Sequence, residues 1–166
     1  MIYFVLFLVF VVFQRIIELF ISKRNAKLMF LKGAEEFDKK GYPYFIIMHT
    51  AFFISLIFEY VYFNNQPNKL WIILIIVFFA AQFLRYWAII SLGIFWNTRI
   101  IVLKNAEYVT KGPYKYFPHP NYLAVIIEIA AIPILFSCYY TAVIFSIINI
   151  FVLKRRIKLE ENALMI

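Results

Sequence analysis

The sequence predicts an all-α, polytopic membrane protein with five transmembrane helices, the last two forming a short helical hairpin. Three observations carry that prediction. The chain is 64% apolar and 21% aromatic with only 16% charged residues, far above the apolar share of a soluble domain. Its apolar residues run in stretches of about 20, the length at which a helix rising ~1.5 Å per residue crosses a ~30 Å hydrocarbon core. Its lysines and arginines gather in alternate connecting segments, as the positive-inside rule requires.

Residues 1–21 form the first apolar run. No basic residue precedes it and no small-residue cleavage site follows it, so it is expected to stay as a transmembrane helix and not be removed as a signal peptide. Residues 42–63 and 70–92 supply helices two and three. Residues 121–153 are too long for one span, and Pro133 followed by Ser137-Cys138-Tyr139-Tyr140 predicts a reversal. That gives helices over 121–137 and 140–153, with a C-terminal helix over 154–164, all within a single domain spanning residues 1–166.

The basic residues test this count. Lys23, Arg24, Lys27, Lys32, Lys39 and Lys40 lie between helices one and two; Arg99, Lys104, Lys111 and Lys115 between three and four; Lys154, Arg155, Arg156 and Lys158 after five. Lys69 alone lies on the opposite side. The expected orientation is therefore N-terminus outside and C-terminus inside. Because the net charge of +8 resides in these short loops, it reports membrane orientation and not nucleic acid binding. A single cysteine, Cys138, on an apolar segment is expected to be inert packing.

Polar residues interrupt the spans at Gln14, Arg15 and Glu18, at Gln82 and Arg85, and at Glu128. A charge at such depth costs at least ~2.5 kcal/mol on insertion scales, so each must face a partner or a wet cavity. Two readings stand: structural pairing, such as Arg15 with Glu18, or a polar cavity beneath the loop that precedes helix four.

That loop, with its surroundings at residues 104–122, is the densest gathering of chemistry in the chain. Lys111 to Leu123 collects one glycine, three prolines, a histidine, an asparagine and three tyrosines. Gly112-Pro113 and Pro118/Pro120 forbid regular helix and impose a turned backbone, and Pro120 can also open the next helix. The tail carries Arg156 and Glu160 four residues apart, on one face of any helix that continues helix five. Alone, that is an ordinary helix salt bridge. The topology, however, returns the pair to the same membrane face as His119.

Together these residues resemble the isoprenylcysteine carboxyl methyltransferase family. Its pattern of Gly-x-Tyr, Arg-His-Pro-x-Tyr and terminal Arg-x-x-x-Glu is met by Gly112-Pro113-Tyr114, by His119-Pro120-Asn121-Tyr122, and by Arg156 with Glu160. Pro118 stands where the family has its arginine. Gln14 to Leu19, Lys23-Arg24-Asn25, Met48-His49-Thr50 and Gly93 to Thr98 are similar to the bacterial branch that methylates alkylpyrones. The resemblance implies a membrane methyltransferase of the bacterial plasma membrane that uses S-adenosylmethionine, with membrane lipid and a lipophilic small-molecule substrate as its partners. By the same resemblance, Ala106, Glu107, Tyr108, Val109, Tyr114, His119, Pro120, Asn121, Tyr122 and Glu160 line the cofactor site. Arg156 meets the substrate, and Arg156 and Glu160 are the catalytic pair. The substrate implied is an acidic amphiphile, an alkylpyrone-like enol or an isoprenylcysteine-like carboxylate.

The chemistry of these residue types agrees. Methyl transfer from a sulfonium to an anion needs alignment more than proton transfer. Arginine offers a planar fork of donors to an anion, while tyrosine faces and a carboxylate favour a cationic cofactor. No Gly-x-Gly-x-x-Gly follows a strand, which excludes a soluble dinucleotide-type domain. His49 is expected to be a packing residue, and two histidines with one distant cysteine make no metal site. Trp87, Trp96 and most phenylalanines are expected at the lipid or the interface. Two other classes share some of these features: a sterol-reductase-type enzyme using NAD(P)H, and a non-catalytic membrane scaffold. Titration with S-adenosylmethionine and with NADPH separates all three.

Overall fold

The computed structural model describes residues 1–104 and 106–164. Among them the chain forms five α-helices: α1 (Ile2–Leu31), α2 (Tyr42–Tyr62), α3 (Trp71–Leu92), α4 (Pro120–Leu135) and α5 (Tyr139–Leu164). Three are long and apolar enough to cross a membrane, namely α1, α2 and α3 with its continuation to Phe95; α4 is a shorter apolar helix. Large side chains such as Phe13, Ile54, Ile76 and Phe83 point outward, while Gln14, Glu18, Gln82, Arg85 and Glu128 are buried. Apolar residues outside and charges inside is the pattern of a protein whose solvent is lipid.

Two helix boundaries differ from expectation. The first helix does not end near residue 21 but runs to Leu31, and α5 passes without a break through the expected division at 153/154. Neither segment contains the proline or glycine that would stop a helix there, so both helices run on. From Ile21, the ten further residues of α1 add ~15 Å. The structure also adds a feature that an all-α reading omits. Strand β1 (Glu35–Phe37) pairs antiparallel with β2 (Ile100–Val102), in the register Glu35↔Val102, Glu36↔Ile101 and Phe37↔Ile100. The ribbon ties the loop after α1 to the segment after α3.

Helix α4 lies between α3 and α5, and α2 packs on α5. The apolar core joins Phe4 and Val11 of α1, Phe52 and Leu56 of α2, Phe78 of α3, Val125 and Ile129 of α4, and Phe145 of α5. The predicted reversal is present. Pro133 lies inside the last turn of α4, its carbonyl accepts the Cys138 N–H at 2.8 Å, and Ser137 adopts a positive φ of 57°. The exposed N–H groups at the start of α5 are met by buried Glu59 of α2, which accepts from Tyr140 N at 3.0 Å and Thr141 N at 2.7 Å. A carboxylate there also opposes the positive end of the helix dipole.

The buried charges form one network. Glu128 accepts from Arg85 Nε at 3.0 Å and from Gln82 at 2.6 Å, and it also pairs with Arg15. Arg15 reaches Glu18 at 2.6 Å, Arg85 lies 3.5 Å from Glu18, and Gln14 bonds to both Glu18 and Gln82. Two arginines face two glutamates, so the cluster is formally neutral. Of the two readings offered by the sequence, the side chains realise pairing. His49 is likewise a packing residue, its Nδ1 2.9 Å from the Phe45 carbonyl oxygen.

Removing one member leaves its partner buried and unpaired, so Arg85→Met should destabilise the fold by about 3–5 kcal/mol. Arg85→Met with Glu128→Leu leaves Arg15 and Glu18 balanced and should recover most of that loss. Thermal unfolding in detergent micelles compares the two, and equal destabilisation by the single and double variants would refute the pairing.

Candidate active site

The site assembles where α4 begins and α5 leaves the apolar layer. Gly112–Lys115 forms a single 3₁₀ turn that packs against α3. Gly112 has φ 63°, and a β-carbon there would collide with the Ser91 side chain, so only glycine fits. After Pro118, His119 caps α4 through its backbone, its carbonyl accepting from Tyr122 N at 3.1 Å and Leu123 N at 3.2 Å. Pro120 is fully buried as the first residue of the helix. This entry aims Tyr122 at α5.

On α5 the buried residues Ala142, Phe145, Asn149, Leu153 and Arg156 recur at helical spacing, and Glu160 continues the same face one turn later. Arg156 and Glu160 do not pair with each other; they meet through Tyr122. Its hydroxyl donates to Glu160 Oε2 at 2.5 Å and accepts from Arg156 Nε at 3.0 Å. His119 is stacked on the Tyr122 ring at 5.5 Å, with its Nε2 3.3 Å from Glu161 Oε1. Tyr114 stands near enough to feel Glu160: burial first, then that carboxylate, pushes its phenol well above the ordinary value and keeps it neutral.

Arg156 is 8% exposed, and its fork is already in use. Nη2 donates to the Thr98 carbonyl, and the guanidinium lies 4.7 Å over the Phe45 ring. Nη1 has no protein partner among the described residues. Thus Arg156 offers an incoming anion one edge and its charge, not the free bidentate fork that the residue type alone offers. Thr98 is itself held, its hydroxyl 2.9 Å from Ser22 Oγ and 3.1 Å from Tyr42 Oη.

The structure therefore brings Tyr114, His119, Tyr122, Arg156 and Glu160 together. Ala106, Glu107, Tyr108 and Val109 form instead the wall of a second concavity of about 550 Å³, shared with Phe95 and Leu103. It is joined to the end of α5 by a hydrogen bond from the Tyr108 hydroxyl to the Leu164 carbonyl. Asn121 Oδ1 is buried without a partner among the described residues. Sequence reasoning missed Phe45, Thr98 and Tyr42 as site residues. Trp96, expected at the lipid or interface, is 2% exposed, because its turn is clamped by Asn25, which donates to the carbonyls of Gly93 at 3.0 Å and Trp96 at 2.8 Å. A buried asparagine on the inner stripe of α1 was the signal for that clamp.

A two-point clamp steadies this region from the other side. Arg155 Nη1 and Nη2 each donate to a different oxygen of Asp38 at 2.7 Å, fixing the loop that starts α2 and hence Phe45. Gly41 follows from this arrangement, since a β-carbon would strike the Asp38 carboxylate. The bonds from Arg155 hold the Asp38 carboxyl below its ordinary value of 3.8. A depressed carboxyl contributes stability above its unfolded pKa and loses it as pH falls through the folded value. The Asp38 carboxyl ¹³C resonance should therefore titrate below 3.8 in the native chain and return towards 3.8 in Arg155→Gln. An unchanged midpoint in the variant would show that the clamp does not persist in solution.

Comparisons with known proteins give the family. A family model, that of the isoprenylcysteine carboxyl methyltransferase (ICMT) family, matches residues 72–166. The chain is 45% identical over 151 residues to the uncharacterized protein YpbQ of Bacillus subtilis strain 168, covering 91% of this chain and 90% of the relative. It is 32% identical over 156 residues to an uncharacterized protein of Haemophilus influenzae, covering 90% and 88% respectively. The matched region takes in α3, the 3₁₀ turn, α4 and α5, the elements that build the site. With more than half of its length matched and its helices apolar enough for a bilayer, this chain belongs to the isoprenylcysteine carboxyl methyltransferase family of membrane methyltransferases.

Proposed function

We propose that the chain is an S-adenosylmethionine-dependent O-methyltransferase acting on an acidic amphiphile carried in the membrane. The observation that carries this reading is the Arg156–Tyr122–Glu160 relay, which sets a cation and an anion on opposite sides of one phenol. The relay spaces an anion-holding group from a cation-holding group in a chain of this methyltransferase family.

The residues present fit the cofactor. Asn121 Oδ1 is a buried acceptor without a protein donor, and Glu160 Oε1 is not used by Tyr122. S-adenosylmethionine carries an ammonium, an amino group and hydroxyls as donors, and its positive sulfonium suits tyrosine faces and a carboxylate. Tyr114, His119, Asn121, Tyr122 and Glu160 would hold it, with Ala106 to Val109 beside the adenosyl part. When bound, it would supply an electrophilic methyl group to an oxyanion attacking in line, the C–S bond breaking as the O–C bond forms and a neutral thioether leaving. Arg156 Nη1 orients the oxyanion. Tyr122 keeps Arg156 and Glu160 at fixed separation, and an acceptor that arrives as an oxyanion requires no base of the protein. We place the reacting face in the cytoplasm of a bacterial plasma membrane, with the N-terminus outside, because the basic segments share that side. Of the two heads, we favour the alkylpyrone-like enol, with the prenylcysteine-like carboxylate second, because the alkylpyrone-type motifs extend the resemblance into the N-terminal half.

Calorimetric titration of the purified chain should show S-adenosylmethionine binding and no NADPH binding. Glu160→Gln and Tyr122→Phe should each weaken it by roughly 5- to 20-fold, the worth of one charge-assisted hydrogen bond. Unchanged affinity in both, and in His119→Ala, removes this site from consideration.

Arg156→Lys should lower turnover although charge is kept, because an ammonium cannot reach Tyr122, the Thr98 carbonyl and an acceptor from one plane. Transfer of a labelled methyl group should rise with acceptor tail length, since each buried methylene is worth ~0.8 kcal/mol. Alkylpyrones of graded length and a farnesylcysteine analogue compare the two heads; rates indifferent to tail length would sink the amphiphile reading.

Orientation is read separately. In a Cys138→Ala background, a cysteine at Asn65 should be labelled in intact cells and one at Lys39 only after permeabilisation. The reverse pattern inverts the topology.

A further inference from the structure

The projecting end of α1 and the start of α2 enclose a groove of about 710 Å³ that the reading above does not use. Leu19, Lys23, Lys27 and Phe30 of α1 form one wall, and Tyr42 and Arg99 face them. Lys23 and Lys27 stand four residues apart on one helix, where like charges repel, and neither has an acidic partner among the described residues. Arg99 lies 5.1 Å over the Tyr42 ring and 3.5 Å from Glu36. Three cations against one acid leave the groove positive.

Its inner end touches the site. Tyr42 Oη and Thr98 Oγ1, 3.1 Å apart, close the groove, and the Thr98 carbonyl accepts Arg156 from the other side. A single residue separates the groove from that arginine. The apolar lining also has a direction. Leu19 precedes the lysines along α1, while Phe30 and Leu31, 42% and 76% exposed, follow them. A phospholipid has apolar chains on one side of its charge only. A molecule whose anionic group is set within an apolar body matches apolar walls on both sides.

We propose that this groove docks the acidic amphiphile by its anion before it reaches Arg156, and that Lys23 and Lys27 select the charged acceptor over the methylated product. O-methylation replaces an anionic oxygen by a neutral ester or ether, so the lysines that hold the acceptor have no hold on the product. Selection thereby favours release after each turnover. The reaction rests on the methyltransferase reading; the docking does not.

The test uses the full chain in phosphatidylcholine nanodiscs, with dioctylacetic acid, whose carboxylate stands between two apolar arms, and its methyl ester as probes. Binding is measured without the cofactor. The acid should bind on the order of tenfold more tightly than the ester, and Lys23→Gln/Lys27→Gln should bring the two within about threefold. S-adenosylmethionine affinity, measured in parallel, should be the same in both proteins. Equal binding of acid and ester to the native chain overturns the proposal, as does a preference that survives the double substitution. Replacing phosphatidylcholine by phosphatidylglycerol should leave the acid bound; its displacement would make the groove a general anionic-lipid site and also overturn the proposal. If S-adenosylmethionine fails to bind while the lysine-dependent preference is present, the methyltransferase reading falls and the docking site stands.

Discussion

A lipid environment cannot hydrate a charge, and the fold is arranged around Glu128 because of it. This carboxylate on α4 is reached by Arg85 and Gln82 from α3 and by Arg15 from α1, while Glu18 neutralises the second arginine. The arrangement admits few alternatives, since sliding or rotating any one helix exposes an unpaired charge to hydrocarbon. Apolar contacts among Val11, Phe78 and Ile129 fill the space around the cluster but would tolerate other registers. The charges therefore set the register of three helices, and with it the height at which α4 begins. His119, Pro120 and Tyr122 follow from that height.

The second determinant is helix length. Helices α1 and α5 both continue past their apolar stretches, and their projecting ends carry polar residues on the faces that are buried lower down. On α1 the stripe Gln14, Glu18, Ser22 and Asn25 passes from charge pairing to holding the Gly93–Thr98 turn. On α5 the stripe passes from Phe145 and Leu153 to Arg156 and Glu160. The candidate site is thus an extension of the core past the apolar stretches of these helices, in which the packing face has become polar. The ribbon of β1 and β2 and the Asp38–Arg155 clamp keep these ends from separating.

Much of this was legible in the sequence. Apolar runs marked the helices, Pro133 with Ser137 marked the reversal, and topology and spacing put Arg156 and Glu160 on the face of His119, while Tyr122 entered through the family resemblance. The end of α1 differs from the reading because an apolar run marks where a span stops and not where a helix does, and no helix breaker follows Ile21 before Leu31. Trp96 was placed at the interface because aromatic residues favour it, whereas Asn25 draws its turn inward. Phe45 belongs to no motif, and Thr98 ends the Gly93 to Thr98 segment without a role attached to it. One contributes a ring face and the other a backbone carbonyl, so nothing in their side chains marks a contact with Arg156.

The sequence by itself determined the solvent, the number and order of helices, and the set of polar residues that had to find partners, because transfer energies and helical periodicity act on local composition. Only the tertiary structure decided which partners they found. Arg15 and Glu18 could have formed a closed pair on their own helix, and so could Arg156 and Glu160. Instead Glu128 draws the first pair into a cluster across helices, and the Tyr122 hydroxyl, able to donate and accept at once, stands between the second. Such a choice depends on distances between segments far apart in the chain, which periodicity does not encode.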